Sequence, residues 1–281
     1  MRHHAEAIHL AAGTRPVALA AALAVFVSFH LIQGWLMFRL LASFGPRLRP
    51  LATMRIFLLS LLGKYIPGSI WIYTMRTTFF AEWAVPVRAV LSAAALENVY
   101  VLVTGGVLFL VTEGGAAGHP WLGPAAGAAA LLSLAVAPSW FARAASVGLR
   151  RLGRPAIGLH PGRRQSLFFA AAFLTTWLLI GFGVWILARG MGVAAGFCRF
   201  PELAGAYALA VSAGFLVIFA PGGIGVREGV FAYFVSRLAP GSDAVLFALA
   251  VRIITSVAEL LALGVAELLH RASGPAARRG E

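Results

Sequence analysis

Seven charged side chains lie inside apolar stretches of this chain: Lys64, Arg76, Arg227 and Arg252, with Glu97, Glu228 and Glu259. A charge in hydrocarbon costs at least about 2.5–3.5 kcal/mol on insertion scales. Several of both signs therefore require mutual pairing or a polar cavity. Arg suits a phosphate because its planar fork donates two parallel hydrogen bonds, whereas Lys offers a point charge. The chemistry open to this set is the holding of an anion, with the carboxylates as resting partners or proton carriers. The same residues also read as an Arg–Glu lattice that fixes helix packing. Asn98, next to Glu97, adds a neutral polar group at mid-stretch.

Two Pro-Gly breaks accompany these charges. Pro67-Gly68-Ser69 follows Lys64 by three residues, and Pro221-Gly222-Gly223, with Gly225 just beyond, precedes Arg227 and Glu228. Glycine permits a sharp turn, and proline frees backbone groups of the preceding turn. The piece after a break starts with unpaired N–H groups and a positive dipole end, to which anions are drawn. The starts at Gly68–Trp71 and Gly222–Gly225 are thus candidate anion sites, with simple kinks as the other reading.

Other chemistries find no support in the sequence. Cys198 is the single cysteine, which excludes a disulfide framework and a Cys-built metal site. The histidines at 3, 4, 9, 30, 119, 160 and 270 show no metal-ligand spacing with one another or with an acid inside a span. A nucleophile elbow, a phosphate-binding P-loop and an acidic pair are absent, and Asp243 is the only Asp. The chain is expected to be neither an enzyme nor dependent on a cofactor or metal.

The elements that must carry these residues are membrane helices. The 281 residues are 60% hydrophobic and 12% charged, against roughly 45–50% and about 25% in soluble domains. The net charge of +13 comes from 22 Arg and one Lys against ten acids, and it lies mainly in short gaps between apolar runs. A nucleic-acid reader would carry it on a water-exposed face, so nucleic-acid binding is excluded. Val17–Leu41 is a retained span, too long and without the small-residue cleavage site of a signal peptide. Leu51–Ile66 and Ile70–Trp83 flank the first break, and Pro86 opens a run to Thr112. Trp121–Val136 reads as a connecting helix, 141–165 as a basic loop and Ser166–Ala188 as a full span. Glu202–Phe219 and Ile224–Leu238 flank the second break, and Asp243–Leu269 closes a single membrane domain over 1–281.

A shift of 154 residues lays Pro67-Gly68 on Pro221-Gly222, Pro86 on Pro240 and Asn98 on Arg252. This predicts a duplication, with repeats over about 17–112 and 166–269. The pieces after each break are too short to span a core of about 30 Å, so each broken pair is expected to be a re-entrant hairpin. That reading gathers thirteen Arg on one side and leaves Arg2, Arg15, Arg189 and Arg199 on the other. By the positive-inside rule the thirteen are cytoplasmic, with the C-terminus inside and the N-terminus outside. The hairpins then enter from opposite faces, and the repeats are inverted, a recurring transporter construction. Arg39, Arg237 and Glu267 lie near span ends, where long side chains snorkel to the interface.

At this point the sequence resembles a known family. Gly63-Lys64-Tyr65-Ile66-Pro67-Gly68-Ser69-Ile70-Trp71, then Arg76 and Leu96-Glu97-Asn98, resemble the first half of the lysylphosphatidylglycerol synthase transmembrane-region family. Ala220 to Gly229, followed by Arg252, is similar to its second half. The family includes the flippase portion of the bacterial multiple peptide resistance factor. The resemblance implies an all-α polytopic protein of the bacterial inner membrane that moves a phosphate-bearing lipid between leaflets. It also carries a role onto Pro67, Gly68, Arg76, Glu97, Pro221, Gly222, Gly223, Gly225, Arg227, Glu228 and Arg252. Asn98 departs from it, standing where family members often have Arg after the Glu. An aminoacyl-transfer domain is not part of this chain, so lipid aminoacylation is not implied. The expected partners are membrane lipids with an anionic headgroup, a second copy of the chain or a separate lipid-modifying transferase. A scaffold for such a transferase and an ion-coupled transporter of a small anion remain the alternative functions.

Overall fold

Proline sets several of the helix starts. Pro16 and Pro50 occupy the first turns of their helices, where a missing N–H costs nothing and the fixed φ suits the helix. The computed structural model describes residues 15–45, 48–67, 70–113, 123–125, 127–128, 161–193, 196–217, 220–239 and 241–273. Among them the order is α1 (Pro16–Ala42), α2 (Pro50–Leu61), α3 (Trp71–Ala81), α4 (Val87–Glu113), α5 (Arg163–Gly190), α6 (Phe200–Leu216), α7 (Val226–Val235) and α8 (Ser242–Ala272). No strand occurs among the described residues. Helices α1, α4, α5 and α8 are long and apolar enough to cross a membrane. The connecting helix expected at Trp121–Val136 and the basic loop expected at 141–165 lie largely outside the described residues, although Gly123–Ala125 is helical and α5 already begins at Arg163, three residues inside the stretch expected as loop.

The two breaks fall where the sequence puts them, and the physics of proline explains their shape. A residue before proline is pushed out of the helical region. Ile66, before Pro67, has φ −86° and ψ 131°, and Ala220, before Pro221, has φ −90° and ψ 111°. Helix α2 therefore gives out at Leu61 and tightens into a 3₁₀ turn over Leu62–Tyr65, rather than running to Ile66. At the second break Gly222 and Gly223 take φ of 58° and 70°, the left-handed region that glycine tolerates. A Cβ on Gly223 would also come within 2.8 Å of the Gly214 Cα.

Contacts at the helix ends define the two ends of the bundle. The Arg15 N–H donates to the Gly190 carbonyl at 3.1 Å, joining the start of α1 to the end of α5. Arg237, just after α7, pairs with Glu113 at the end of α4 at 2.7 Å. At the opposite end, Arg55 near the start of α2 pairs with Glu267 near the end of α8, and Arg271 joins the same carboxylate. Arg39 stacks there on Trp35 and Phe168 at 5.2 and 5.1 Å. All three side chains assigned to span ends, Arg39, Arg237 and Glu267, do lie at helix ends.

Each end has its own apolar core. One gathers Phe26, Val184, Leu187, Leu203, Phe231 and Phe247; the other gathers Leu36, Leu40, Phe57, Phe80, Val90 and Phe173. Lipid removes most of the hydrophobic drive between helices, so close backbone approach through small residues matters more. Helix α6 buries Ala204, Ala206, Ala208 and Ala210, and Gly181 of α5 packs directly on Ala204. Between the two cores lies a polar layer at mid-helix.

A charged chamber between the two breaks

Local sequence places the charges in this layer. Lys64 sits in the 3₁₀ turn that ends the α2 rod, Arg76 mid-α3, Glu97 and Asn98 mid-α4, Arg227 and Glu228 in the first turn of α7, and Arg252 and Glu259 mid-α8. The two breaks touch: the position of a Cβ on Gly222 lies 3.5 Å from the Lys64 carbonyl and 2.9 Å from Arg252 Nη2.

The carboxylates are shared among three of the four cations. Arg76 is 2% exposed and donates from Nη1 to Glu97 Oε2 at 2.7 Å and from Nε to Ser60 Oγ at 3.1 Å. Its guanidinium also lies over the Phe57 ring at 4.7 Å. Lys64 donates to Glu259 Oε2 in an ion pair that joins residues 195 positions apart. Arg252 lies 3.4 Å from Glu228 Oε1 and donates from Nη2 to the Gly222 carbonyl at 3.0 Å. Arg227 is different. It donates to the Tyr207 hydroxyl and lies over that ring at 4.9 Å, and among the described residues it has no carboxylate within 4 Å.

Two adjoining cavities of about 180 and 230 Å³ open on this cluster. Lys64, Glu97, Arg227 and Arg252 line both. Glu259 faces the first, and Arg76, Asn98, Gly222 and Gly223 face the second. Pro67, Pro221 and Gly225 shape the breaks but line neither cavity, and Gly68 lies outside the described residues. The start of α7 already holds an anion: Glu228 Oε2 accepts the Gly225 N–H at 2.7 Å. Guanidinium groups, more than the bare helix start, are therefore what this end offers to a ligand.

Sequence reasoning missed four members of the chamber. Tyr73 accepts a hydrogen bond from Asn98 Nδ2 at 2.6 Å, Tyr207 holds Arg227, and His30 and Gln33 of α1 face the first cavity. A signal for Tyr73 was available, because Tyr73 and Asn98 lie 154 residues before Arg227 and Arg252. A neutral donor–acceptor pair in the first half thus stands where the second half has two cations. For His30 the sequence offered only a polar residue in mid-span.

Helical build, four membrane-length helices and a charged interior define an integral membrane protein with a polar site inside its bundle. No curated protein matches the chain significantly. The chain does match, over residues 4–262, the family described as lysylphosphatidylglycerol synthase TM region. It belongs to that family, and its function is related to membrane lipids.

Proposed function

We propose that the protein moves a phosphate-bearing polar lipid, such as a phospholipid, an aminoacylated phospholipid or a polyprenyl-phosphate-linked lipid, between the leaflets of the bacterial inner membrane. The observation that carries this reading is the charge balance of the chamber. Among the described residues four cations face three carboxylates there, and the unmatched one, Arg227, fronts both cavities. One surplus positive charge suits one phosphodiester, which the Arg227 fork can hold through two hydrogen bonds. Lys64, Arg76 and Arg252 would exchange part of their carboxylate contacts for the headgroup. The tails would remain in lipid. Apolar, exposed Phe215, Ile70, Trp71 and Ile224 around the breaks support a lateral opening, where a closed small-anion transporter would need a polar rim.

The same reading takes the two broken pairs as re-entrant hairpins of an inverted repeat. Its support is the pairing at the ends: α2 starts near the end of α8, whereas α7 finishes near the end of α4. The end bearing Arg55, Arg164 and Arg271 is then cytoplasmic, with the C-terminus inside and the N-terminus outside. The chamber works by binding and release, with no bond made or broken. A separate transferase that supplies modified lipid, or a second copy of the chain, are the protein partners this reading allows. A non-transporting scaffold is the second reading, favoured by the pairing of three cations.

The test is reconstitution. Purified protein in vesicles carrying acyl-labelled NBD-phosphatidylglycerol should expose inner-leaflet label to dithionite within minutes, whereas protein-free vesicles protect about half of it. Protection that persists with properly folded protein overturns the translocation reading in favour of the scaffold.

A further inference from the structure

We propose that His30 and Glu259 form a proton-binding site loaded together with the anion, so that one proton crosses with each headgroup. The inference rests on the translocation reading above and adds its energy source. His30 lies mid-α1 and is 8% exposed, and among the described residues its buried Nε2 meets no hydrogen-bond partner. Glu259, 2% exposed, has Oε2 on Lys64 and a buried Oε1 with no partner among the described residues. Gln33 Oε1 is the third unpartnered oxygen or nitrogen on the same cavity of about 180 Å³. All three can accept a hydrogen bond, and among the described residues none has a donor aimed at it. The surrounding described residues leave these acceptors short of a donor.

A proton supplies it. On Nε2 it converts the imidazole from acceptor to donor and gives the Glu259 side a cation that can stand in for Lys64 when that ammonium moves away. A metal ion fits poorly, because the Lys64 ammonium already holds Glu259. The ionisable groups facing the ring are Lys64 from the turn after α2, Glu97 from α4, Tyr207 from α6, Arg227 from α7, and Arg252 and Glu259 from α8. Helix α5 presents Trp177 and Ile180 there and no ionisable group.

The sequence of events follows from these contacts. A headgroup arriving at Arg227 draws the Lys64 ammonium off Glu259. Glu259, left uncompensated in a buried site, is then matched by a proton that bonds to His30 Nε2 from water on the loading side. When the headgroup leaves, Lys64 returns to Glu259, and the proton passes from Nε2 to water on the other side. Anion and proton cross as a neutral pair.

The experiment uses the full chain in phosphatidylcholine vesicles with a trace of NBD-phosphatidylglycerol and an imposed gradient of one pH unit. Wild-type protein should concentrate label in the leaflet facing the alkaline side, up to about tenfold per pH unit for one proton per lipid. An even distribution in wild type, despite exchange between leaflets, overturns the proposal. A bias that survives in His30→Gln also overturns it. Loss of the bias in a His30→Gln protein that still exchanges label supports it. If wild type moves no label, the translocation reading fails on its own. In that event, or if His30→Gln stops exchange altogether, ¹⁵N-histidine spectra in nanodiscs decide. The resonance lost in His30→Gln should move from imidazole to imidazolium at pH 7 when phosphatidylglycerol replaces phosphatidylcholine. A resonance indifferent to that exchange overturns the site.

Discussion

Arg227→Gln should slow NBD-phosphatidylglycerol translocation about ten- to hundredfold while leaving the fold intact. Charge-assisted hydrogen bonds contribute about 1.5–3 kcal/mol each, and 1.4 kcal/mol is tenfold in a binding constant. Losing the surplus cation therefore removes the attraction that brings a phosphodiester into the chamber. The folded state loses far less. Arg227 meets Tyr207 and no carboxylate among the described residues, so Gln strands no buried anion and can still donate to the Tyr207 hydroxyl. Arg252→Gln should impair transport as well, but it also takes a cation from Glu228 and a donor from the Gly222 carbonyl. Its effect mixes binding with packing of the second break. The clean readout is a dithionite rate for Arg227→Gln set beside its melting temperature in detergent. An unchanged rate would remove Arg227 from the account; a lost melting transition would make it a packing residue.

Arg76→Ala should act on stability first, by about 3–5 kcal/mol, the cost of leaving one member of a buried ion pair alone. Arg76 and Glu97 have side-chain exposures of 2% and 12%, so bulk solvent has little access to the stranded carboxylate. The loss also opens space beside Phe57 and frees Ser60 Oγ. Two companion variants separate the causes. Adding Glu97→Gln should recover much of the loss, because the stranded charge is then gone. Arg76→Lys should recover little, since an ammonium cannot bridge Glu97 and Ser60 as the guanidinium fork does. Thermal unfolding of the purified proteins checks all three. A fall below about 1 kcal/mol for Arg76→Ala would mean the pair is solvated and the chamber wetter than its packing indicates.

Much of this architecture is legible in the residues. The spans follow from length and hydropathy, and both breaks follow from Pro-Gly, because proline acts on the residue before it whatever the tertiary context. The span-end charges Arg39, Arg237 and Glu267 were readable for the same reason, since their position along an apolar run decides their depth. Pairing within the chamber was not. Lys64 takes Glu259 across 195 residues, and no local rule selects that acid over Glu97 or Glu228. The role of Tyr207 depends on α6 delivering a hydroxyl beside the α7 start. His30 is silent in sequence because a lone mid-span histidine has no period or motif, and only the neighbours that fail to pair with it give it meaning. The Glu228 carboxylate that caps Gly225 likewise changed the reading of the second break, from an open anion site to one held by the chain itself.

The central claim is that the interior cluster receives the headgroup, and locating a bound lipid tests it most directly. An electron-microscopy map of the protein in phosphatidylglycerol nanodiscs, with an antibody fragment to aid alignment, should show phosphate density against the Arg227 guanidinium, between the Lys64 turn and Gly222. Lys64 should have moved off Glu259 in that state. A chamber holding only water, with phosphatidylglycerol confined to the outer surface of α1, α4, α5 and α8, would contradict the account.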